Sequence, residues 1–266
     1  KEKSLDGQVL EAYSEGLDSL RGGDVLFAAK KFNDAEMLFP QSKWAPKSAL
    51  MAAYSYYSQD YLDDAIAELD RFLLVYPLSK DRDYAIYLLA NSHYEKIVDE
   101  TKDLQSILLA KKNFNIVVKN FPNTEYALDS EFKIDLINDI LASKEMYIGR
   151  YYFDRKKWIP AINRFRTVID EYDTTIYVEE ALHRLVEVYY TIGLINEAKK
   201  YANILGYNYG SSRWYETSYA VFNKDYERKR IKTEKKKKSF LNKVKSLFAL
   251  DAVSYTHLTL PTTEYV

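Results

Sequence analysis

Cysteine is absent from the 266 residues, which excludes a disulfide framework, a zinc ribbon and a thiol nucleophile within the chain. Histidine is nearly as scarce: His93, His183 and His257 stand alone, none with a second ligand at metal spacing. A Gly-rich phosphate loop, a Gly-x-Ser-x-Gly elbow and a paired-glycine dinucleotide fingerprint are all missing. The chain is therefore expected to have no catalytic residues, no cofactor and no metal. No run of about 18 apolar residues occurs, so no membrane-spanning helix is expected. Lys1-Glu2-Lys3-Ser4 lacks the apolar core of a signal peptide, so an exported protein would appear here in its mature form. Eight glycines and six prolines are too few for a turn-rich sheet protein and favour long helices with short connections.

What is present fits that expectation. Hydrophobic residues make up 47% of the chain and aromatics 15%, ample for a core. One pattern recurs. Ala65 lies twelve residues before Pro77, Ala28 twelve before Pro40, Ala110 twelve before Pro122 and Ala161 twelve before Asp173. In that register Phe32, Leu69, Phe114 and Phe165 are equivalent, as are Phe39, Tyr76, Phe121 and Tyr172. A small residue, a bulky apolar residue and an aromatic stop form a packing code for stacked helix pairs.

Along the chain, Leu10 to Leu20 reads as a first helix, with Gly22-Gly23-Asp24 as stop and N-cap. Asp24 to Leu38 closes the first hairpin at Pro40. A second hairpin starts near Pro46 and turns at Ser58-Gln59-Asp60 into Tyr61 to Tyr76. The third opens at Asp83 and has a longer polar connection, Lys96 to Asp103. Thr124 is read as the N-cap of one unusually long helix reaching Tyr152, and the fifth pair runs from Tyr177 to Thr191 and from Leu194 to Leu205, ended by Gly206 and Gly210. The alanine spacings are 37, 45, 51 and 37, against about 34 for a standard tetratricopeptide. The expected fold is all-α, a right-handed tetratricopeptide-like solenoid of about five helix-turn-helix repeats over residues 1–222.

Charge divides the chain again. Residues 224–245 hold 11 of the 38 basic residues and 3 of the 39 acidic ones, leaving an acidic body. Residues 223–250 are read as a basic tail with a short amphipathic helix, in which Lys235, Lys236, Lys237, Lys238, Phe240 and Phe248 suit a membrane surface or an acidic partner. An ordinary solvated helix is the plain alternative; nucleic acid would call for a basic body too, and is not expected. Residues 251–266 follow no helical period and are taken as disordered or non-native. Among 25 tyrosines, those in repeat register, such as Tyr61, Tyr76 and Tyr172, are expected to pack between helices. Tyr54, Tyr57, Tyr87 and Tyr94 lie on first helices, which line the concave side of such repeats, and are candidates for binding.

Several local motifs narrow the reading further. They are Phe39-Pro40-Gln41-Ser42, Ala65-Ile66 with Asp70-Arg71-Phe72 and Tyr76-Pro77, Asp83-Tyr84-Ala85-Ile86-Tyr87, and Phe121-Pro122-Asn123-Thr124-Glu125-Tyr126. Leu141-Ala142 with Glu145, Tyr151-Tyr152, Asn163-Arg164-Phe165 and Glu180-Ala181-Leu182 follow in order. Over about residues 8–206 the chain resembles the BamD family, outer-membrane assembly lipoproteins of the bacterial β-barrel assembly machinery. The resemblance implies a non-enzymatic scaffold at the periplasmic face of the outer membrane, held by a lipid anchor that would lie upstream of Lys1. Implied partners are the periplasmic domains of BamA, other assembly-complex lipoproteins and unfolded outer-membrane proteins. It places Arg164 and Asn163 on the BamA side, with Arg164 as ion-pair donor, against an internal pair with Asp170 or Glu171. It also implies a substrate groove from Phe39, Pro40, Trp44, Tyr54, Tyr57, Tyr87 and Tyr94, taking an extended, aromatic-ended segment. Another tetratricopeptide adaptor of the cell envelope is the competing function.

Overall fold

The computed structural model describes residues 4–97 and 104–223. Among them are eleven helices and no strand: α1 Leu5–Arg21, α2 Val25–Leu38, α3 Ala45–Tyr57, α4 Leu62–Val75, α5 Arg82–Glu95, α6 Leu104–Asn120, α7 Glu125–Asp154, α8 Trp158–Glu171, α9 Val178–Thr191, α10 Ile195–Tyr209 and α11 Arg213–Phe222. The fold is an all-α, tetratricopeptide-like helical repeat. Two compact units divide it, residues 1–178 and 179–266. Most of the connection at Lys96 to Asp103, the basic tail and the last sixteen residues lie outside the described residues.

Within the first unit each helix from α1 to α7 packs on the next, and α3 with α5 and α5 with α7 also touch. The register explains this. Relative to each repeat alanine, the residues at zero, four and seven are buried: Ala28, Phe32 and Ala35; Ala65, Leu69 and Phe72; Ala110, Phe114 and Val117; Ala161, Phe165 and Val168. Those positions form one stripe of a helix with 3.6 residues per turn. The facing helix supplies a small residue at the point of closest approach. A Cβ on Gly16 would come 2.9 Å from the Phe32 ring, and one on Gly149 would come 2.5 Å from the Phe165 ring. Ala53 with Leu69 and Ala90 with Phe114 occupy the corresponding clusters. Gly149 therefore does not break α7; it lets Phe165 in.

Turns repeat as faithfully. Gly23, Asp60, Lys156 and Gly193 all have positive φ, at 84°, 62°, 57° and 84°, and each lies five residues before a repeat alanine. The following amide bonds back five residues, as Asp24 to Ser19, Tyr61 to Tyr56, Lys157 to Tyr152 and Leu194 to Tyr189, with N···O of 2.9–3.1 Å. This is the left-handed Schellman stop of a helix. At the far end of each pair, the amide three residues beyond the aromatic stop bonds back to it: Ser42 to Phe39, Ser79 to Tyr76, Thr124 to Phe121, Thr175 to Tyr172 and Ser212 to Tyr209. Every one of those donors is Ser or Thr, and the side chains of Thr124 and Ser212 cap α7 and α11.

Two expectations are corrected. Helix α1 starts at Leu5, not Leu10, because Ser4 accepts the Gly7 amide as N-cap. Helix α10 does not end at Gly206: it runs on to Tyr209, and Gly206 is small because the Tyr215 ring of α11 packs where a Cβ would lie, 2.7 Å away. Helix α11 itself was not anticipated. In the second unit His183 of α9 meets Ser218 Oγ at 2.9 Å and Glu187 Oε2 at 3.4 Å, with its ring 5.2 Å from Trp214. The Ser-His-Glu arrangement is sealed, His183 being 1% and Ser218 0% exposed, so it fastens α11 to α9 instead of meeting a substrate.

Candidate functional site

The helices of the first unit place aromatic rings in a row. Tyr13 of α1 sits 5.4 Å from Trp44, at the entry to α3. Tyr13, Leu50, Met51, Tyr54 and Tyr84 then line a cavity of about 340 Å³, with Lys47 and Asp81 supplying one charge of each sign. Tyr84 and Tyr87 on α5 continue the row to Tyr126 of α7, at 5.4 and 5.0 Å. Burial pushes the Tyr84 hydroxyl up to about 12, with neighbouring tyrosines adding to the shift. Tyr13 is raised by burial and by the charge of Asp81. The groove is thus a phenol-lined trough with one charge of each sign, which can pack aromatic or aliphatic side chains while donating hydrogen bonds.

Of the expected groove residues, Tyr54 lines this cavity, Trp44 abuts it through Tyr13, and Tyr87 extends it through Tyr126. The others lie elsewhere. Tyr57 donates its hydroxyl proton to Glu95 and packs on the core between α3, α4 and α5. Tyr94 packs near Phe114, at 6.3 Å. Phe39 closes α2, and Pro40 borders a separate cavity with Met37, Arg71, Val75 and Tyr76. Tyr13, Lys47, Asp81, Tyr84 and Tyr126 were missed; Tyr84 and Tyr126 stood inside recognised motifs, whereas nothing in the sequence marks Lys47 or Asp81.

Two charged clusters bind neighbouring helices together. Arg71 donates from Nη1 and Nη2 to the two oxygens of buried Glu36, at 2.9 and 2.7 Å, and from Nε to Glu68 at 2.8 Å. Tyr76 adds a bond of 2.6 Å to the same Glu36 carboxylate. Burial alone would raise the Glu36 carboxyl, but the bonds from Arg71 and Tyr76 and the guanidinium charge outweigh it and hold it below the usual range. Farther along, Lys133 of α7 bonds Asn91 and pairs with Asp129 at 3.0 Å. Its ammonium lies 5.4, 5.7 and 5.9 Å from the Tyr87, Phe114 and Tyr94 rings, a cation–π cage. Tyr87 also donates to Asp129 at 2.6 Å; burial and that bond push its hydroxyl up to about 12.

Arg164 and Asn163 are on α8, beside a cavity of about 350 Å³ that Tyr152, Ile159 and Pro160 complete. Arg164 pairs neither with Asp170 nor with Glu171. Its Nη1 donates to both carboxylate oxygens of Glu145 on α7, at 3.0 and 2.9 Å. Arg166 is the residue next to Asp170, at 3.9 Å. Lys235, Lys236, Lys237, Lys238, Phe240 and Phe248 lie outside the described residues. Among those described, no group of His, Cys, Asp or Glu is arranged to hold a metal ion, and no helix is long and apolar enough to cross a membrane.

Stacked helical hairpins with an aromatic trough and a half-exposed arginine beside a cleft define a tetratricopeptide-like scaffold, a class that works by presenting surfaces. The chain belongs to the YfiO family of outer membrane lipoproteins, which matches residues 5–205. It is 44% identical over 215 residues to a Rickettsia prowazekii protein named outer membrane protein assembly factor BamD, covering 81% of this chain and 85% of the relative. Its identity to the Caulobacter vibrioides protein of the same name is 43% over 211 residues, covering 79% and 69%. With that of Neisseria meningitidis serogroup A it is 32% over 217 residues, covering 78% and 81%.

Proposed function

We propose that the chain is a BamD-type assembly factor, a scaffold at the periplasmic face of the outer membrane that serves insertion of β-barrel proteins. The observation that carries this is 44% identity over 81% of the chain to a protein named for that role. In this reading a lipid anchor preceding Lys1 holds the protein to the membrane, in keeping with the lipoprotein family. The basic tail with Lys235 to Lys238, Phe240 and Phe248 adds a contact to anionic headgroups or an acidic partner.

The surfaces divide the work. The trough around Tyr54, flanked by Trp44 and Tyr87, receives extended segments of unfolded outer-membrane proteins, because phenol rings pack aromatic side chains in any order and their hydroxyls bond the backbone. Arg164 and Asn163 face the periplasmic domains of BamA, and other lipoproteins of the complex dock on the remaining surface. Arg164 is 43% exposed at its side chain, which suits an interfacial ion pair. The test is a pulldown of the chain with the periplasmic domains of BamA from the same bacterium, at low salt, comparing wild type with Arg164→Glu. Binding that charge reversal abolishes is expected; no binding by wild type would refute the scaffold reading.

A further inference from the structure

We propose that Glu145 is a positioning residue for Arg164, holding its guanidinium so that the Nε and Nη2 edge is presented to a carboxylate on a partner protein. The inference rests on the reading of Arg164 as a partner contact. Its geometry comes from the α7–α8 hairpin. Only Nη1 serves Glu145, at 3.0 and 2.9 Å to the two oxygens. The parallel N–H groups of Nε and Nη2 are the pair that matches a carboxylate bidentately, and the Glu145 contact does not use them. Glu145 is the more sheltered partner, 17% exposed against 43% for Arg164, so it is the fixed member and the arginine the presented one.

Nothing in the packing requires this pair. The position three residues after each repeat alanine holds Lys31, Glu68, Asn113, Arg164 and Tyr201, five different residues, so helix stacking does not demand a cation there. Lys31 reaches back to Glu15 of its own hairpin in a similar way, which makes a simple clasp the alternative to be excluded. An unheld arginine side chain loses rotamer freedom when it binds, and prior fixation removes that loss. A glutamine at 145 keeps the acceptor oxygen for Nη1 and removes the negative charge that repels an incoming carboxylate; an alanine removes both.

Two variants of the full chain, Glu145→Ala and Glu145→Gln, measured for affinity to purified BamA periplasmic domains beside wild type and Arg164→Glu, decide the matter. Positioning predicts that Glu145→Ala binds roughly three- to tenfold more weakly at an unchanged melting temperature, the size of one side chain's ordering. Glu145→Gln should bind as tightly as wild type or tighter. Equal affinity of wild type and Glu145→Ala overturns the inference, as does a glutamine variant as weak as the alanine one. So does a loss that tracks a fall in melting temperature, which would make the pair a clasp. Failure of wild type to bind removes the BamA reading and this inference with it, whereas sensitivity to Arg164→Glu with indifference to Glu145 removes the inference alone.

Discussion

Replacing Lys156 by glycine should stabilise the protein. Lys156 closes the α7–α8 turn at φ 57°, in the same register as Gly23 and Gly193, both at 84°. A left-handed conformation brings Cβ against the following carbonyl and costs an L-residue roughly 1–2 kcal/mol. Glycine removes that strain but gains freedom in the unfolded chain, returning about 0.4–1 kcal/mol. The balance favours Lys156→Gly by about 0.5–1 kcal/mol. The exposed Lys156 side chain confuses the comparison little. Gly193→Ala is the mirror experiment: nothing lies within 4 Å of the added Cβ, so any loss, about 1 kcal/mol, is backbone strain alone. Urea midpoints at constant m-value measure both. If Lys156→Gly lowers the midpoint, or Gly193→Ala leaves it unmoved, the left-handed turn is not what these positions require.

Gly149→Ala should destabilise by about 1–3 kcal/mol through overpacking against Phe165, and part of that should be recovered by adding Phe165→Leu, read as the coupling in a double-mutant cycle. Glu36→Gln should lower the urea midpoint at pH 7 by leaving Arg71 and Tyr76 without their carboxylate; about 2 kcal/mol is expected, less than for breaking a fully buried pair because Arg71 is 38% exposed. Since the folded Glu36 carboxyl lies below its ordinary 4.5, its contribution is present above that pH and is lost as pH falls through the lowered value, so wild type and variant should converge in acid. Tyr84 and Tyr87, raised from 10.0 to about 12, stabilise the fold below pH 10 and cease to as pH approaches 12; their tyrosinate absorbance should appear above that of the exposed tyrosines and coincide with alkaline loss of helix.

The repeat was legible because the forces that stack hairpins are local and periodic. A small residue where helices approach, a bulky one four positions on and an aromatic stop can all be counted along the chain. The same count could have found α11. Tyr209 lies eleven residues after Ala198, and Ser212 fourteen after, the places held elsewhere by Phe39 and Ser42 or Phe121 and Thr124. The two glycines at 206 and 210 concealed it, since glycine reads as a stop in sequence and here serves close packing at the first of them. What could not be counted is the identity of partners across helices. Tyr57 finds Glu95, Tyr87 finds Asp129 and Arg164 finds Glu145 over separations of 38, 42 and 19 residues. Pro40 and Tyr54 are close in sequence, yet they border different cavities because one ends a second helix and the other lies within a first.

That contrast suggests where function can reside in such a chain. Positions whose residue type recurs in every hairpin, such as the buried alanines and the Ser or Thr after each stop, are bound to one role by packing or capping, and a change there is felt as stability. Positions that vary are released from that role. Glu36 with Arg71, Lys133 within its aromatic cage and Arg164 with Glu145 each occur once among the described residues, and each joins elements by charge and not by shape. The first two join neighbouring hairpins. Arg71 and Arg164 both border cavities, but Arg71 commits all three guanidinium nitrogens to Glu36 and Glu68, whereas a single nitrogen of Arg164 holds its internal partner. An ion pair of this exposure is worth at most about 1 kcal/mol to the fold. Its geometry matters more than its contribution to stability, because a guanidinium held by one corner offers its remaining edge to whatever carboxylate docks in the cleft.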